Sequence, residues 1–217
     1  MNRDLLSAMV VERLLQAWPK AETLLRHDNC YQLMIAVILS SRTTDAQVNV
    51  VTEKLFRRFP DAKSLAEADG EEVEDLIHSV GFYRVKARHI VAAAAALLEK
   101  FDGSVPESME ELLMIPGLGR KGANVVLGDC FGKPAIIVDT HFGRVVRRIG
   151  LSDSENPAIV EREVKSLIPS ADQTDFSMAA NLHGRYVCLS RNPRCSECVV
   201  QDVCRYFSDR NRSSDDR

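Results

Sequence analysis

Four cysteines lie close together near the end of the 217-residue chain. Their spacing is C-x6-C-x2-C-x5-C, and they are Cys188, Cys195, Cys198 and Cys204. Four thiolates on so short a segment suit a tetrahedral zinc ion or a [4Fe–4S] cluster. Zinc sites usually show two short C-x2-4-C pairs and only one is present, so the spacing alone leaves the metal open. The remaining cysteines, Cys30 and Cys130, fall outside this pattern and are expected to be small buried apolar residues.

A glycine-rich turn followed by a lysine is the second candidate for chemistry. The predicted helix–turn–helix covers about residues 112–127 and turns through Pro116-Gly-Leu-Gly. Gly117 and Gly119 at the start of a helix let free backbone N–H groups approach an anion such as a DNA phosphate. The alternative is an ordinary turn between two helices, with glycines chosen only for backbone shape.

Lys121 and Asp139, eighteen positions apart, are candidate catalytic residues. A lysine amine is nucleophilic only when neutral, and a helix N-terminus, the neighbouring Arg120 and burial all disfavour the ammonium form. A nearby carboxylate favours the charged amine, but it can also accept a proton or stabilise positive charge on a sugar. Taken singly, Lys121 would be a solvated helix lysine that binds phosphate, and Asp139 the N-cap of a helix over 140–149.

The turn, the lysine and the aspartate together resemble the endonuclease III family of DNA glycosylases and AP lyases. In that family Leu/Ile-Pro-Gly-x-Gly-Arg-Lys is followed by Val-Asp-Thr-His at the spacing seen here between residues 115–121 and 138–141. The similarity also includes residues 36–45 and 182–188, and extends from about residue 20 to residue 205.

The resemblance implies a base-excision-repair enzyme that acts on duplex DNA with a damaged base or abasic site. It implies that Lys121 forms a Schiff base with the sugar of an oxidised pyrimidine, that Asp139 assists, and that β-elimination then nicks the strand. It also implies a [4Fe–4S] cluster on the four clustered cysteines. Whether the cluster is redox-active or structural is a separate question, and we expect a structural cluster that positions a basic loop.

Three positions differ from the family pattern. Arg42 stands where glutamine is common and Phe82 where leucine is common, at positions that resemble wedges filling the gap left by an extruded base. We therefore expect Arg42 and Phe82 to set how the enzyme tolerates the opposite base. Gly122 replaces the usual threonine, weakens its helix by about 1 kcal/mol relative to alanine, and is expected to loosen the turn behind Lys121.

Net charge gives no sign of a nucleic-acid partner, since the chain carries −3 with a pI near 6.0. DNA binding must therefore depend on local basic clusters, although a solvated basic face is the ordinary explanation of each. The basic residues predicted to contact DNA are Arg144 and Arg148 on one helix, and Arg191 and Arg194 between the first two clustered cysteines. Further members of a positive track are Arg84, Lys86, Arg88 and Arg185.

Helical periodicity of apolar residues predicts an all-α fold. Such segments occur over 30–41, 45–59 with Asp45 as N-cap, 71–80 and 84–101, and no sustained alternation typical of strands is present. By family analogy we expect two lobes with a DNA cleft between them. The predicted bounds are 23–133 for a six-helix lobe and 1–22 plus 134–217 for an iron–sulfur lobe, with a disordered tail over 208–217.

The sequence shows no apolar stretch typical of a signal peptide or membrane span, so we expect a cytoplasmic protein, associated with the nucleoid if prokaryotic. We also expect a monomer. Two alternatives are a monofunctional glycosylase of the same superfamily and a non-catalytic DNA-binding module. Lys121 argues against the first, and the presence of both Lys121 and Asp139 argues against the second.

Overall fold

The computed structural model of the chain describes residues 2–19 and 21–215. Helices joined by short loops make up these residues and no strand occurs among them, which confirms the all-α prediction. No helix within the described ranges is long and apolar enough to cross a membrane. The helices are α1 (Arg3–Ala17), α2 (Cys30–Leu39), α3 (Asp45–Arg58), α4 (Ala62–Ala66), α5 (Gly70–Ile77), α6 (Tyr83–Phe101), α7 (Met109–Leu112), α8 (Arg120–Phe131), α9 (Thr140–Ile149), α10 (Pro157–Leu167), α11 (Gln173–Tyr186) and α12 (Arg205–Asp215). Short 3₁₀ turns occupy Ser170–Asp172, Cys195–Glu197 and Gln201–Val203.

The chain divides into two compact units. Residues 23–132 form one, which we call the hairpin unit, and it contains α2 to α8. Residues 1–22 and 133–217 form the other, which we call the cluster unit, and it contains α1 and α9 to α12.

The hairpin unit is built around α2, whose apolar sequence is buried on almost every side. Helices α3, α6 and α8 pack against it, so α2 acts as the core element against which the glycine-rich turn is held. The predicted N-cap of α3 was wrong by one residue. Thr44 is the N-cap and its hydroxyl accepts from the Gln47 N–H at 3.3 Å, while Asp45 is the first helical residue, where its charge faces the positive helix end.

The core of the cluster unit lies where α9 packs along α11, with α1 against α11. The rings of Phe142 and Phe176 meet edge to face with centroids 6.0 Å apart. Both side chains are fully buried, as is the rest of the apolar face of α9, which comprises Val145, Val146 and Ile149. Burial of this face fixes the rotation of α9, and so the direction in which its N-terminal residue Asp139 points.

Helix α12 continues to Asp215 and so includes part of the tail over 208–217, whose disorder stays a prediction; residues 216–217 lie outside the described range. The first turn of α12 is anchored. Arg205 donates to the Arg147 carbonyl at 3.0 Å and pairs with Asp153 at 2.6 Å, and the Tyr206 ring lies 4.5 Å from the Arg148 guanidinium carbon. Arg205 and Tyr206, which make these contacts, lie just before the ten polar residues at the end of the sequence.

Candidate functional site

The glycine-rich turn is shaped by close packing as well as by backbone freedom. Gly117 has φ of 79°, and a Cβ there would lie 2.8 Å from Cβ of His89 and 3.0 Å from Cγ2 of Ile38. No other residue fits this position without strain. Gly119 is the N-cap of α8 and offers no side-chain cap, so the first-turn N–H groups of α8 lack a side-chain acceptor there and can receive an anion.

Lys121 is the second residue of α8 and its side chain is exposed. The hairpin unit therefore does not bury Lys121, contrary to the expectation from the sequence. The amine lies near the start of α8, beside Arg120. The sequence predicts that Gly122 loosens the turn, but the packing around Gly122 does not support this. It is buried, and a Cβ would lie 2.7 Å from Cγ1 of Val37 and 2.9 Å from Cδ1 of Leu118, so glycine here allows α8 to approach α2 closely.

Asp139 is the N-cap of α9 and is half-buried. Its Oδ1 accepts from the N–H groups of His141 and Phe142, each at 2.8 Å. Its Oδ2 accepts from the Asn181 side-chain amide at 2.5 Å. The amide oxygen of Asn181 in turn accepts from Nε of Arg185 at 2.9 Å. Both carboxylate oxygens are therefore held in place by hydrogen-bond donors.

Helix α11 supplies Asn181 because it passes unusually close to α9. A Cβ on Gly184 would lie 2.9 Å from the His141 carbonyl oxygen, so only glycine permits this approach. Sequence reasoning missed both Asn181 and Gly184. The signal in the sequence was a polar residue, Asn181, directly after Ala179 and Ala180. The structure buries both alanines fully.

The four clustered cysteines form no disulfide, and they line one pocket together with Arg148 and Tyr206. Three of them, Cys188, Cys198 and Cys204, pack against the core of the cluster unit. Among the described residues, no group of three or more His, Cys, Asp or Glu side chains is arranged to hold a single metal ion. Four thiols spread around one pocket instead fit a cluster of several irons, with one cysteine at each iron.

Burial controls the state of these thiols and of a histidine beside them. Burial raises the pKa of Cys198 to about 11 and also raises the pKa of Cys204, so loading a metal must displace protons from both. His183 Nε2 lies 3.3 Å from Sγ of Cys198, and burial lowers the pKa of this histidine to about 4, which keeps the imidazole neutral. Sequence reasoning also missed His183 as a neighbour of the cysteines.

Arg144 and Arg148, predicted to contact DNA, have guanidinium groups bound to the loop that follows α11. Arg144 donates to the carbonyls of Cys188 at 2.9 Å and Gly184 at 2.6 Å. Arg148 donates to the carbonyls of Leu189 and Ser190, at 2.7 and 3.0 Å, and to Sγ of Cys188 at 3.4 Å. The structure thus shows both arginines holding the cysteine loop, and their contact with DNA stays a prediction.

Arg191 and Arg194 are exposed on that loop. Arg194 makes one ion pair, with Glu197 at 3.7 Å, in which both side chains are more than half exposed. Such a pair is worth little and leaves the arginine able to exchange partners.

Arg42 and Phe82 lie together in the hairpin unit. Both have left-handed backbone, with φ of 55° and 60°, and the Arg42 guanidinium lies 5.1 Å from the centre of the Phe82 ring. Phe82 is 61% exposed, which is unusual for so large an apolar side chain. Lys86 does not extend a surface track. It is 4% exposed, burial lowers its pKa, and it donates to the Thr43 hydroxyl at 2.7 Å beside Arg42.

Comparison with known proteins extends these findings. Residues 35–170 match the model of the HhH-GPD superfamily base excision DNA repair proteins, and residues 188–204 match the iron-sulfur binding domain of endonuclease III. The chain is 46% identical to endonuclease III of Synechocystis sp. over 192 residues, covering 88% of each chain. It is 38% identical to the Escherichia coli endonuclease III over 197 residues, covering 91% of this chain and 93% of that one.

The fold is likewise that of a solved endonuclease III. A structure of a trapped endonuclease III–DNA covalent intermediate superimposes with a TM-score of 0.91 at 36% identity, covering 97% of this chain and 99% of the other. Fold and site therefore define a helix-hairpin-helix base excision repair protein. Within that superfamily, the chain belongs to the endonuclease III family. It is a DNA glycosylase and AP lyase that carries a [4Fe–4S] cluster.

Proposed function

We propose that the chain excises oxidised pyrimidines from duplex DNA as a monomer in the cytoplasm, at the nucleoid, with Lys121 as nucleophile. The observation that carries the proposal is the close structural match to a trapped endonuclease III–DNA covalent intermediate. A covalent protein–DNA link needs a nucleophile on the protein, and an amine can form an imine at a sugar carbon. Lys121 is exposed at the first turn of α8, directly after a turn suited to phosphate binding.

The reaction follows from the chemistry of these groups. Nζ of Lys121 attacks C1′ of the deoxyribose while the glycosidic bond breaks and the base leaves with the electron pair and takes up a proton. The nitrogen then loses a proton as the C1′–O4′ bond breaks and O4′ takes up a proton, which opens the sugar ring and leaves an imine at C1′. The imine acidifies C2′, and loss of a C2′ proton breaks the C3′–O bond and expels the 3′ phosphate. Asp139, held in place by Asn181 and the α9 N-terminus, stabilises positive charge developing on the sugar and moves the proton released from the amine.

DNA contacts are assigned in the same proposal to groups on both units. The turn at Gly117 and Gly119 offers backbone N–H groups to a phosphate, and the exposed Arg42–Phe82 pair serves as the wedge beside the extruded base. Arg191 and Arg194 contact phosphates from the cysteine loop. Held by Cys188, Cys195, Cys198 and Cys204, the cluster supplies cross-links that fix this loop. Arg144 and Arg148 orient the same loop. Their direct contact with DNA is secondary to that role.

Borohydride trapping tests the proposal. Wild-type protein mixed with borohydride and a duplex bearing one oxidised thymine should yield a covalent protein–strand complex, with little product from an undamaged duplex or one bearing an oxidised purine. Lys121→Ala should yield none yet still bind the duplex, because the turn's grip uses backbone N–H groups. Lys54→Ala, another exposed helix lysine of the hairpin unit, is the matched control and should trap normally.

Three outcomes separate the alternatives. Trapping by Lys121→Ala at the wild-type rate would overturn the nucleophile assignment. Base release without any trapped complex would identify a monofunctional glycosylase, and binding without base release would identify a non-catalytic module.

A further inference from the structure

Two cysteines of the hairpin unit remain without a role in the reaction or the cluster. Cys30 is the first residue of α2 and Cys130 is the penultimate residue of α8. Both are half-buried and neither is in a disulfide, and interaction with Cys30 adds to burial in raising the pKa of the Cys130 thiol. The sequence predicts two small buried apolar residues, whereas both thiols are half-buried and interact with each other.

The pair joins the ends of two helices that already pack closely. α2 and α8 pack against each other, and Val37 near the end of α2 contacts Gly122 near the start of α8. The helices therefore run antiparallel, with the thiol pair at the opposite end of the contact. Beside it, Nε2 of His27 and Oδ2 of Asp129 are 3.2 Å apart, so the residues flanking both cysteines are also held together.

We infer that Cys30 and Cys130 form a redox modification site, in which a peroxide converts the two thiols into a disulfide that clips α2 to α8. The packing of α2 on α8 and the 3.2 Å contact between His27 and Asp129 hold together the two helix ends that carry the cysteines, as a disulfide requires. The site is independent of the proposed DNA chemistry, since Cys130 lies nine residues, or about 14 Å of helix, from Lys121.

The oxidation balances as a two-electron step. The Cys30 thiolate attacks hydrogen peroxide, forming a sulfenic acid and releasing hydroxide. The hydroxide takes the Cys130 proton as Cys130 sulfur attacks the sulfenic sulfur, which forms the S–S bond and expels the sulfenic oxygen as a second hydroxide. That hydroxide takes up the proton released when the Cys30 thiol ionised, so two thiols and one peroxide give one disulfide and two waters. Cys130 is the resolving thiol because burial and its contact with Cys30 raise its pKa and keep it protonated until the second step.

The disulfide would stabilise the hairpin unit against unfolding. The disulfide closes a loop from residue 30 to residue 130, almost the whole hairpin unit, and long closed loops lose the most unfolded-state entropy. The oxidised protein should therefore unfold at a higher temperature than the reduced protein, by at least about 5 °C.

The experiment treats the cluster-loaded full chain with a small excess of hydrogen peroxide, alkylates the remaining thiols, and maps peptides by mass spectrometry. The visible absorbance of the cluster is followed throughout, so that samples with a damaged cluster are excluded. A crosslinked peptide pair containing Cys30 and Cys130 is expected from the wild type, reversible by dithiothreitol. Cys30→Ser and Cys130→Ser should each lack it, and the wild-type peptide map is informative even if a variant folds poorly.

Several results would overturn the inference. Sulfinic or sulfonic acid at Cys30 without the crosslink would show that the thiols do not meet. A crosslink from either cysteine to Cys188, Cys195, Cys198 or Cys204 would show scrambling rather than a site. A Cys30–Cys130 disulfide that leaves the unfolding temperature unchanged or lower would show a strained bond and exclude a clip.

Discussion

The Asp139 carboxylate serves two functions with the same two oxygens. Oδ1 caps α9, an interaction worth about 1 kcal/mol in typical helices, and Oδ2 binds Asn181. A capping aspartate is fixed by backbone donors that cannot rotate away, so the second oxygen inherits a defined direction. The alternative recognised from the sequence, a helix N-cap, is therefore present, and it supports the proposed catalytic role because it holds the carboxylate rigid.

A double-mutant cycle tests whether Asn181 positions Asp139 for chemistry. Asp139→Asn should slow excision by about 10²–10⁴-fold if the carboxylate is a positioned acid–base group. Asn181→Ala removes the bond to Oδ2 together with the acceptor of Arg185 Nε. It should slow excision by roughly tenfold, while costing about 1 kcal/mol of unfolding free energy. In the double variant the second substitution should have almost no further effect on the rate, because residues acting as a unit are strongly non-additive.

The expected non-additivity is what distinguishes positioning from stability. If the two effects on the excision rate simply multiply, Asn181 acts on the fold and not through Asp139. Both unfolding free energies are measured alongside, so that loss of folded protein is not counted as loss of rate.

Arg42 and Phe82 also have to be considered as a pair. The cation–ring contact between them orients the guanidinium, an effect worth about 0.5–1 kcal/mol at exposed sites. Arginine pairs best with the acceptor edge of guanine, so a guanine opposite the lesion should be favoured.

Excision rates across the four opposite bases provide the measurement for this pair. Arg42→Gln should flatten the preference for guanine, and Phe82→Leu should weaken it partly by freeing the guanidinium. An unchanged ranking in Arg42→Gln would mean that this arginine contacts only the DNA backbone.

At the scale of elements, the contact between α8 and α2 depends on Gly122. Threonine at this position would place its Cβ 2.7 Å from Cγ1 of Val37 and would require α8 to move outward. Overpacking of this kind costs typically 1–3 kcal/mol, offset in part by the gain of replacing glycine inside a helix. Gly122→Thr should therefore lower the unfolding free energy by about 1–2 kcal/mol, measured by denaturant titration.

A matched glycine and a compensating change make this prediction specific. Gly70 is also helical, and a Cβ added there would meet nothing within 4 Å, so Gly70→Ala should be neutral or slightly stabilising. Trimming the neighbour in Val37→Ala/Gly122→Thr should recover part of the loss. Full stability of Gly122→Thr alone would show that α8 moves at no cost.

Elements whose signal is local were predictable from the sequence. The four-residue apolar face of α9 and the buried α2 follow from periodicity and composition, and the spacing from Lys121 to Asp139 carried the family resemblance. Features that depend on two elements meeting were not predictable. Asn181 reaches Asp139 only because Gly184 lets α11 approach α9, and buried Lys86 resembles a surface lysine until its bond to Thr43 is seen.

The molecule as a whole carries a net charge of −3, so its affinity for a polyanion must come from where its cations lie. The structure separates two kinds of arginine in the cluster unit. Arg144 and Arg148 each donate to two carbonyls at the end of α11 or in the cysteine loop. Arg194 is exposed and holds a weak, solvated ion pair. A distribution of this kind predicts few phosphate contacts, each one separable by mutation.

Salt dependence of duplex binding measures these contacts one at a time. The logarithm of the binding constant should fall linearly with the logarithm of salt concentration, with a slope of about −0.9 per phosphate neutralised. Arg194→Ala should make the slope shallower by about that amount. Arg148→Ala should leave the slope nearly unchanged but weaken retention of the cluster, read from its visible absorbance, because the carbonyls of Leu189 and Ser190 lose their donor. Arg57→Ala, an exposed arginine paired with Glu53 on α3, is the control and should change neither quantity. A shallower slope in Arg148→Ala with a fully retained cluster would mean that this arginine binds phosphate directly, and the assignment of Arg148 to the loop would have to be reversed.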